Sequence, residues 1–213
     1  PLADGMDMSN AERAEHERRR VQHYARIIGA GAIYAQPFSE GGTAAAGAVP
    51  FATTARRDGD GWRLSGRKIF ASLSGSADYY GILCTEAQGD AALSRRNTLY
   101  VAVPATAAGL TVTGDWDPLG MRGTVSRTLL LDNVYVGADE AIMPAGVYYQ
   151  AAIRMPHMFM TLTPTYIGIA QAAYDFTVRY LRGEVPGQGG DKRRASPSKQ
   201  HNVAEMQIRL EQT

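Results

Sequence analysis

The chain has 213 residues, enough for one large or two small domains, and 45% of them are apolar, which is enough to build a core. With 22 basic and 21 acidic residues the formal net charge is +1, so composition gives no reason to expect nucleic acid or an anionic membrane as a partner. No apolar run of about 18 residues and no charged leader is visible, so we expect neither a membrane span nor a signal peptide.

The first 30 residues predict a helix. It begins near Ser9, which can act as its cap with Glu12 following, and no helix breaker occurs before Ile28. His16 and His23 lie seven residues apart on this helix, but no third ligand accompanies them. We therefore predict no metal site.

The segment that follows the helix is rich in glycine. Gly29-Ala30-Gly31 is not a dinucleotide-binding fingerprint, because no third glycine arrives at the right spacing and no strand-helix-strand unit surrounds it. Further on, Gly41 and Gly42 let the main chain come close to another group. Their amides could face a phosphate or the edge of another ligand, and a plain turn is the alternative.

Residues 53–136 have the pattern of a β domain. Short runs rich in Thr, Val, Leu, Tyr and Trp are split by Gly, Pro, Asp and Asn, and no helical period intervenes. This spacing predicts a small antiparallel barrel or sandwich. The six predicted strands are Thr53–Arg57, Gly61–Lys68, Tyr79–Thr85, Thr98–Val103, Leu110–Gly114 and Thr128–Val136.

The only cysteine, Cys84, lies in the third of these predicted strands and cannot form an internal disulfide. We interpret it as a buried thiol in a reducing compartment, and we expect a cytoplasmic protein.

After Pro144 the apolar residues recur at the spacing of a helix. The run Val147–Arg182 is interrupted by Pro156 and Pro164, which should break or kink it. Residues 183–197 predict a loop, and Ser198–Thr213 predicts a second amphipathic helix. Because the chain begins with Pro1 and stops inside a helical pattern, we expect a piece of a longer protein.

The stretch Gly61–Asp78, GWRLSGRKIFASLSGSAD, carries the most specific signal. Apolar and polar residues alternate as far as Lys68, and a small, hydroxyl-rich segment with one aromatic ring follows. The order G-W-x-L-x-G-x-K-x-aromatic-x-Ser/Thr, then Ala77-Asp78, resembles the flavin-contacting segment of the acyl-CoA dehydrogenase family. Such a segment is suited to lie against a flat ligand.

Three further segments match that family in the same order. Ser39-Glu40 falls where the family has Thr-Glu-Pro, and Leu119–Thr124 resembles its Gly-x-Arg-Gly-Ser stretch. Arg154 with Gly168–Ala173, followed by Gln200–Met206, is similar to the start of the family's C-terminal bundle. The resemblance implies an α+β fold with a middle β domain at 31–145, between the end of an N-terminal helical domain at 1–30 and the start of a C-terminal one at 146–213.

The resemblance also implies a site. Phe70 stands where the family's Trp packs against the isoalloxazine, and Ser72 stands where a Thr hydroxyl bonds the reactive flavin nitrogen as a donor. The implied cofactor is FAD, the implied substrate an acyl-CoA, and the implied acceptor an electron-transfer flavoprotein or a similar protein, in a homodimer or homotetramer. The implied cofactor-binding residues are Ser39, Glu40, Gly41, Gly42, Thr43, Phe70, Ala71 and Ser72, and the implied substrate contacts are Thr43 and Arg122.

The sequence also departs from the family pattern. Gly41-Gly42-Thr43 replaces Pro-x-x-Gly-Ser-Asp, and Phe70 replaces Trp. The glutamate base of the dehydrogenation is not identified and is expected beyond Thr213, because Ile153 occupies the other family position for it. The leading hypothesis is α,β-dehydrogenation of an acyl-CoA. A flavin-dependent monooxygenase and a flavin-poor binding homologue are the alternatives.

Overall fold

The computed structural model describes residues 5–41, 50–89, 91–187 and 193–213. The chain divides into two compact units, Pro1–Pro156 and His157–Thr213. The first unit contains all the described strands and two helices, and the second contains two further helices. This mixed α+β content confirms the predicted fold class.

The first unit is built on an eight-stranded sheet in which seven strands follow the order β6-β7-β3-β2-β4-β5-β8 and β1 pairs with β4. All six predicted strands form, and two very short strands join them. The strands are β1 (Tyr34–Ala35), β2 (Thr54–Asp58), β3 (Gly61–Ala71), β4 (Tyr79–Glu86), β5 (Thr98–Pro104), β6 (Leu110–Thr113), β7 (Arg127–Gly137) and β8 (Ala141–Met143).

The pairing of β4 makes the sheet mixed, and the end strands β6 and β8 do not meet, so the sheet is open where the sequence predicted an antiparallel barrel or sandwich. Both β1 and β2 run parallel to β4. The reason lies in the chain path, because β3 folds back on β2 through a tight turn and gives its other edge to β7. β4 therefore meets the free edge of β2 while running in the same direction as β2.

The main core lies on one face of this sheet. Residues of β4 alternate between two faces, so Ile82 and Cys84 enter the main core while Leu83 joins a second cluster with Phe51 and Tyr100. Cys84 is fully buried, and burial raises the pKa of its thiol to about 12. The prediction of a buried cysteine is therefore confirmed.

Helix α1 (Asn10–Tyr24) packs beside the sheet and begins as the sequence predicted. Ser9 and Glu12 form a reciprocal capping box. The helix continues into a π-helical turn, Ala25–Gly29. Within this turn Arg26 makes a two-pronged ion pair with Glu140, at 2.6 and 2.7 Å, which ties the end of the helix to the segment before β8.

The remaining helices follow the predicted proline breaks. Helix α2 (Val147–Arg154) ends just before Pro156, whereas Pro164 lies in the first turn of α3 (Thr163–Arg182), where a missing amide proton costs nothing. Helix α4 (Pro197–Glu211) confirms the last predicted helix. Within the described ranges, no helix is long and apolar enough to cross a membrane.

Candidate functional site

A buried ion pair fixes the segment that precedes β2 against the middle of β3. The Lys68 ammonium lies 2.7 Å from a carboxylate oxygen of Glu40, and the two side chains are 0% and 6% exposed. The same carboxylate accepts hydrogen bonds from the backbone amides of Ala52 and Thr53 and from the Thr53 hydroxyl. Lys68 also lies over the ring of Phe51, 4.5 Å from its centroid. The pair is therefore enclosed by protein atoms, with several hydrogen bonds to the carboxylate, one of them from the ammonium.

Burial and pairing act in opposite directions on these two groups. Burial by itself would raise the pKa of the Glu40 carboxyl, but the Lys68 charge and the hydrogen bonds from Thr53 outweigh burial and lower that pKa. For Lys68, burial is the larger effect and lowers the pKa of the ammonium, against the attraction of Glu40. The Glu40 carboxylate is thus held ionised and occupied by protein donors.

This ion pair places the predicted loop next to the end of β3. The Ile69 amide donates to the Ser39 carbonyl at 2.8 Å. Gly41 has φ +87°, a backbone conformation that glycine adopts without strain. It lies beside the Ile69 side chain. Ser39, Glu40 and Gly41 therefore reach the strand that carries Phe70. The predicted contacts Gly42 and Thr43 lie outside the described residues.

Two facing turns, residues 70–74 and 121–126, form what we call the rim. The register of the β3 and β7 pair shifts between Lys68 and Ala71, and Phe70 at this irregularity has φ +54°. Leu73, Met121 and Val125 also have positive φ, so the rim holds four of the five non-glycine residues with positive φ among the described residues. Such conformations each cost on the order of 1–3 kcal/mol and cluster at functional sites.

The rim exposes apolar side chains although its backbone is tied down. The Leu73 and Ser74 amides donate to the carbonyls of Thr124 and Val125, at 2.8 and 3.2 Å. The exposed fraction is 61% for Phe70 and 75% for Met121. The side chains of Leu73 and Val125 are exposed as well, and so is that of Leu119, just before the rim. This fixed, apolar, strained surface is suited to bind a flat ligand.

A chain of hydroxyl groups runs along the rim. The Ser72 and Ser126 hydroxyl oxygens lie 2.8 Å apart, and the Ser126 oxygen lies 2.7 Å from that of Thr124. The Thr124 hydroxyl donates to the Met121 carbonyl at 2.8 Å. Ser126 in the middle of the chain is buried whereas Ser72 at its end is exposed, so the chain brings one hydroxyl to the surface of the rim.

The loop before the rim adds one ring and one charged pair. The Trp116 ring meets the Phe70 ring edge-on at a centroid distance of 6.2 Å, and the Trp116 indole donates to the Met121 carbonyl at 3.1 Å. Arg122 forms a 2.5 Å ion pair with Asp117, and both side chains are mostly exposed. Arg122 thus lies on the rim, with its charge partly engaged by its own loop.

The structure brings Phe70, Ser72 and Arg122 of the predicted set onto one rim. The Ala71 methyl group points into the main core and is fully buried, which leaves only its backbone for a ligand. Sequence reasoning assigned no role to Lys68, although it stands in the quoted motif, or to the hydroxyls of Thr124 and Ser126. A signal for Ser126 existed, since it directly follows the matched 119–124 segment.

Comparisons with known proteins identify the family to which this β domain is related. The sequence profile of the acyl-CoA dehydrogenase middle domain matches residues 38–134. L-evernosamine nitrososynthase from Micromonospora sp. is 34% identical over 166 residues, which cover 73% of this chain and 37% of that protein. The mitochondrial short-chain specific acyl-CoA dehydrogenase of Homo sapiens is 30% identical over 134 residues, which cover 62% of this chain and 32% of that protein.

Solved structures show the same fold. A glutaryl-CoA dehydrogenase from Mycobacterium smegmatis in complex with FADH2 superimposes with a TM-score of 0.59 at 21% identity, covering 91% of this chain and 47% of that chain. Fold, motif order and profile together define a flavoprotein-type α+β domain. The chain belongs to the acyl-CoA dehydrogenase family. It spans about a third of the length of the two curated relatives named above, 37% and 32%.

Proposed function

We propose that this chain forms the flavin-facing part of a FAD-dependent oxidoreductase of the acyl-CoA dehydrogenase type. The observation that carries the proposal is the rim, where strained backbone, exposed apolar side chains and a directed hydroxyl chain meet on one fixed surface. A flat heterocycle with polar atoms on one edge would use all three features. FAD, when bound, supplies the capacity to accept a hydride.

Each predicted residue has a distinct part in this proposal. The Phe70 ring would offer an apolar face, and Ser72 would offer its hydroxyl to the polar edge of the ring system. Ser39 and Gly41 would approach through their backbone, because Gly41 has no side chain and the Ser39 carbonyl is held by Ile69. Glu40 would act by positioning this loop, since its carboxylate is occupied by Lys68 and Thr53.

The proposed reaction is α,β-dehydrogenation of an acyl-CoA to the 2-enoyl thioester. Its support is the family membership and the similarity to a relative named as a short-chain acyl-CoA dehydrogenase. The proposed substrate contacts are Arg122 on the rim and Thr43. An electron-transfer flavoprotein or similar acceptor, a homodimer or homotetramer and a cytoplasmic location belong to the same proposal.

A second candidate is a flavin-dependent monooxygenase of the same fold. One observation favours it: a relative named as a nitrososynthase matches over 73% of this chain at 34% identity, more than the 62% and 30% of the human dehydrogenase. In this alternative the substrate is not a thioester and the protein needs no glutamate base. The rim residues keep the same positions in both reactions.

The first test is flavin content in the full-length protein. We expect co-purifying FAD, with an oxidised absorption band that bleaches anaerobically when acyl-CoAs are added. Phe70→Ala should lower the FAD content severalfold, whereas Tyr135→Ala should not, because Tyr135 is an exposed aromatic residue of β7 paired with Arg63, away from the rim.

Two outcomes would contradict parts of the proposal. A protein that binds no flavin under any condition would overturn the site itself. A band that stays unchanged with every thioester, but whose reduced form reacts with oxygen and an amine or other non-thioester substrate, would replace the dehydrogenase by the monooxygenase.

A further inference from the structure

The directions of the hydrogen bonds along the rim can be deduced by counting protons. A carbonyl oxygen cannot donate, so the 2.8 Å contact between the Thr124 hydroxyl and the Met121 carbonyl requires the Thr124 proton to lie between them. A hydroxyl has one proton. The Thr124 oxygen can therefore only accept in its 2.7 Å contact with Ser126.

The same argument fixes the two remaining protons. Ser126 must donate to Thr124, which uses its only proton. Ser126 can then only accept in its 2.8 Å contact with Ser72, so the Ser72 proton points towards Ser126. Three hydroxyl protons satisfy three contacts, and the chain begins at Ser72 and ends at the Met121 carbonyl.

We propose that the Thr124 and Ser126 hydroxyls orient Ser72 so that it presents a lone pair, and no proton, to a ligand on the rim. Thr124 and Ser126 are positioning residues in this scheme. It reverses the donor role that the family resemblance implies for Ser72. The inference rests on the proposed function for the identity of the ligand, and on the three oxygen contacts for the direction of the hydrogen bonds.

The consequence concerns which redox form of the flavin Ser72 favours. The reactive nitrogen of an oxidised flavin carries a lone pair, whereas in the reduced flavin that nitrogen carries a hydrogen. Ser72, as an acceptor, would face a lone pair in the first case and accept a hydrogen bond in the second. The oriented Ser72 therefore stabilises the reduced form relative to the oxidised form and raises the midpoint potential.

The decisive variant is Ser126→Ala, which removes the acceptor for the Ser72 proton. Ser72 can then rotate and donate to the oxidised flavin. We expect the affinity for oxidised over reduced FAD to rise about tenfold, which lowers the midpoint potential of a two-electron couple by about 30 mV. The measurement is a spectroelectrochemical titration of the full-length holoprotein, with FAD as the probe.

Three further variants separate orientation from structural damage. Thr124→Val removes the hydroxyl that accepts the Ser126 proton, so Ser126 can donate to Ser72 instead and leave the Ser72 proton free. This variant should lower the midpoint potential, as Ser126→Ala does. Ser126→Thr keeps the hydroxyl and should retain the wild-type potential. Ser65→Ala removes an exposed hydroxyl of β3 that accepts a hydrogen bond from the Asn133 amide and lies outside the rim, so the potential should not change.

The outcomes distinguish the inference from the proposed function. An absence of FAD from the wild-type protein contradicts the proposed function, and the redox role of Ser72 with it. Normal FAD binding, with a potential that Ser126→Ala and Thr124→Val leave unchanged or raise, overturns the orientation scheme alone. If Ser126→Ala does not fold, the Thr124→Val and Ser126→Thr pair decides the question.

Discussion

Lys68 and Phe70 are two residues apart on the same strand, yet they lie in opposite environments. Lys68 is completely buried, and its ammonium is paired with Glu40. Phe70 is 61% exposed, and its backbone is left-handed. Between them the register of β3 and β7 shifts, which separates a buried, ion-paired anchor from a strained surface.

This contrast indicates that the two ends of one strand are specialised for different tasks. Around the Glu40 and Lys68 pair, burial is deep and every described polar contact is made within the protein. On the rim, apolar side chains are exposed to solvent and the backbone adopts unfavourable conformations. Hydrogen bonds between the two facing turns hold these conformations in place. Substitutions at the anchor should therefore affect stability first, and substitutions on the rim should affect binding first.

The largest effect is expected at the anchor. Glu40→Gln leaves the buried Lys68 ammonium without a counter-ion, and we expect the free energy of unfolding to fall by about 3–5 kcal/mol. Denaturant unfolding followed by circular dichroism measures this change. The double variant Glu40→Gln/Lys68→Met removes both charges and should recover most of the loss. Equal losses in the single and double variants would contradict the role of the pair.

The second prediction uses pH on the same pair. Because the folded protein lowers the Glu40 pKa, the stability from this carboxylate is fully present above its unfolded pKa, near about 4.3. It is lost as the pH falls through the lower folded pKa. Below about pH 5 the wild type should lose stability more steeply than the double variant, by up to about 1.4 kcal/mol per pH unit. Parallel pH profiles would contradict the assignment.

The third prediction tests backbone strain on the rim. Phe70→Gly and Phe70→Ala both remove the ring, but only glycine relieves the left-handed conformation, which costs other residues roughly 1–2 kcal/mol. We therefore expect Phe70→Gly to be more stable than Phe70→Ala by about 1 kcal/mol.

The control is the same pair of substitutions at Leu130, a partly exposed residue of β7 with no left-handed backbone. There glycine should be less stable than alanine by about 0.5–1 kcal/mol, as in ordinary strands. The same order at both positions would mean that Phe70 is not strained.

The sequence predicted where the strands lie in the chain better than it predicted which strands pair with one another. Alternation identified β3, but it stops at Lys68 because the irregularity that follows turns Phe70 out of the pleat, while the strand continues to Ala71. The two-residue strand β1 is too short to have a period, and it pairs with residues of β4 that lie far along the chain, Tyr34 with Tyr79 and Ala35 with Tyr80. Such long-range pairing leaves no trace in local spacing.

The candidate site could be proposed from a sequence motif, but its electrostatic arrangement could not. Glu40 and Lys68 are 28 residues apart, and neither is apolar, so no local pattern marks them as buried partners. The hydroxyl chain joins Ser72 to Ser126 across 54 residues. Its direction depends on a carbonyl at Met121, which no side-chain motif encodes.

The smallest effect is expected for the ion pair of Arg122 and Asp117, which is exposed where the anchor is buried. Water already solvates both charges, so Arg122→Ala should change the free energy of unfolding by about 0–0.5 kcal/mol, several times less than Glu40→Gln. Denaturant unfolding of Arg122→Ala and Asp117→Asn checks this. If Arg122 contacts an acyl-CoA as proposed, only Arg122→Ala should weaken thioester binding. A loss of stability comparable to that of Glu40→Gln would mean that exposure does not set the difference between these two ion pairs.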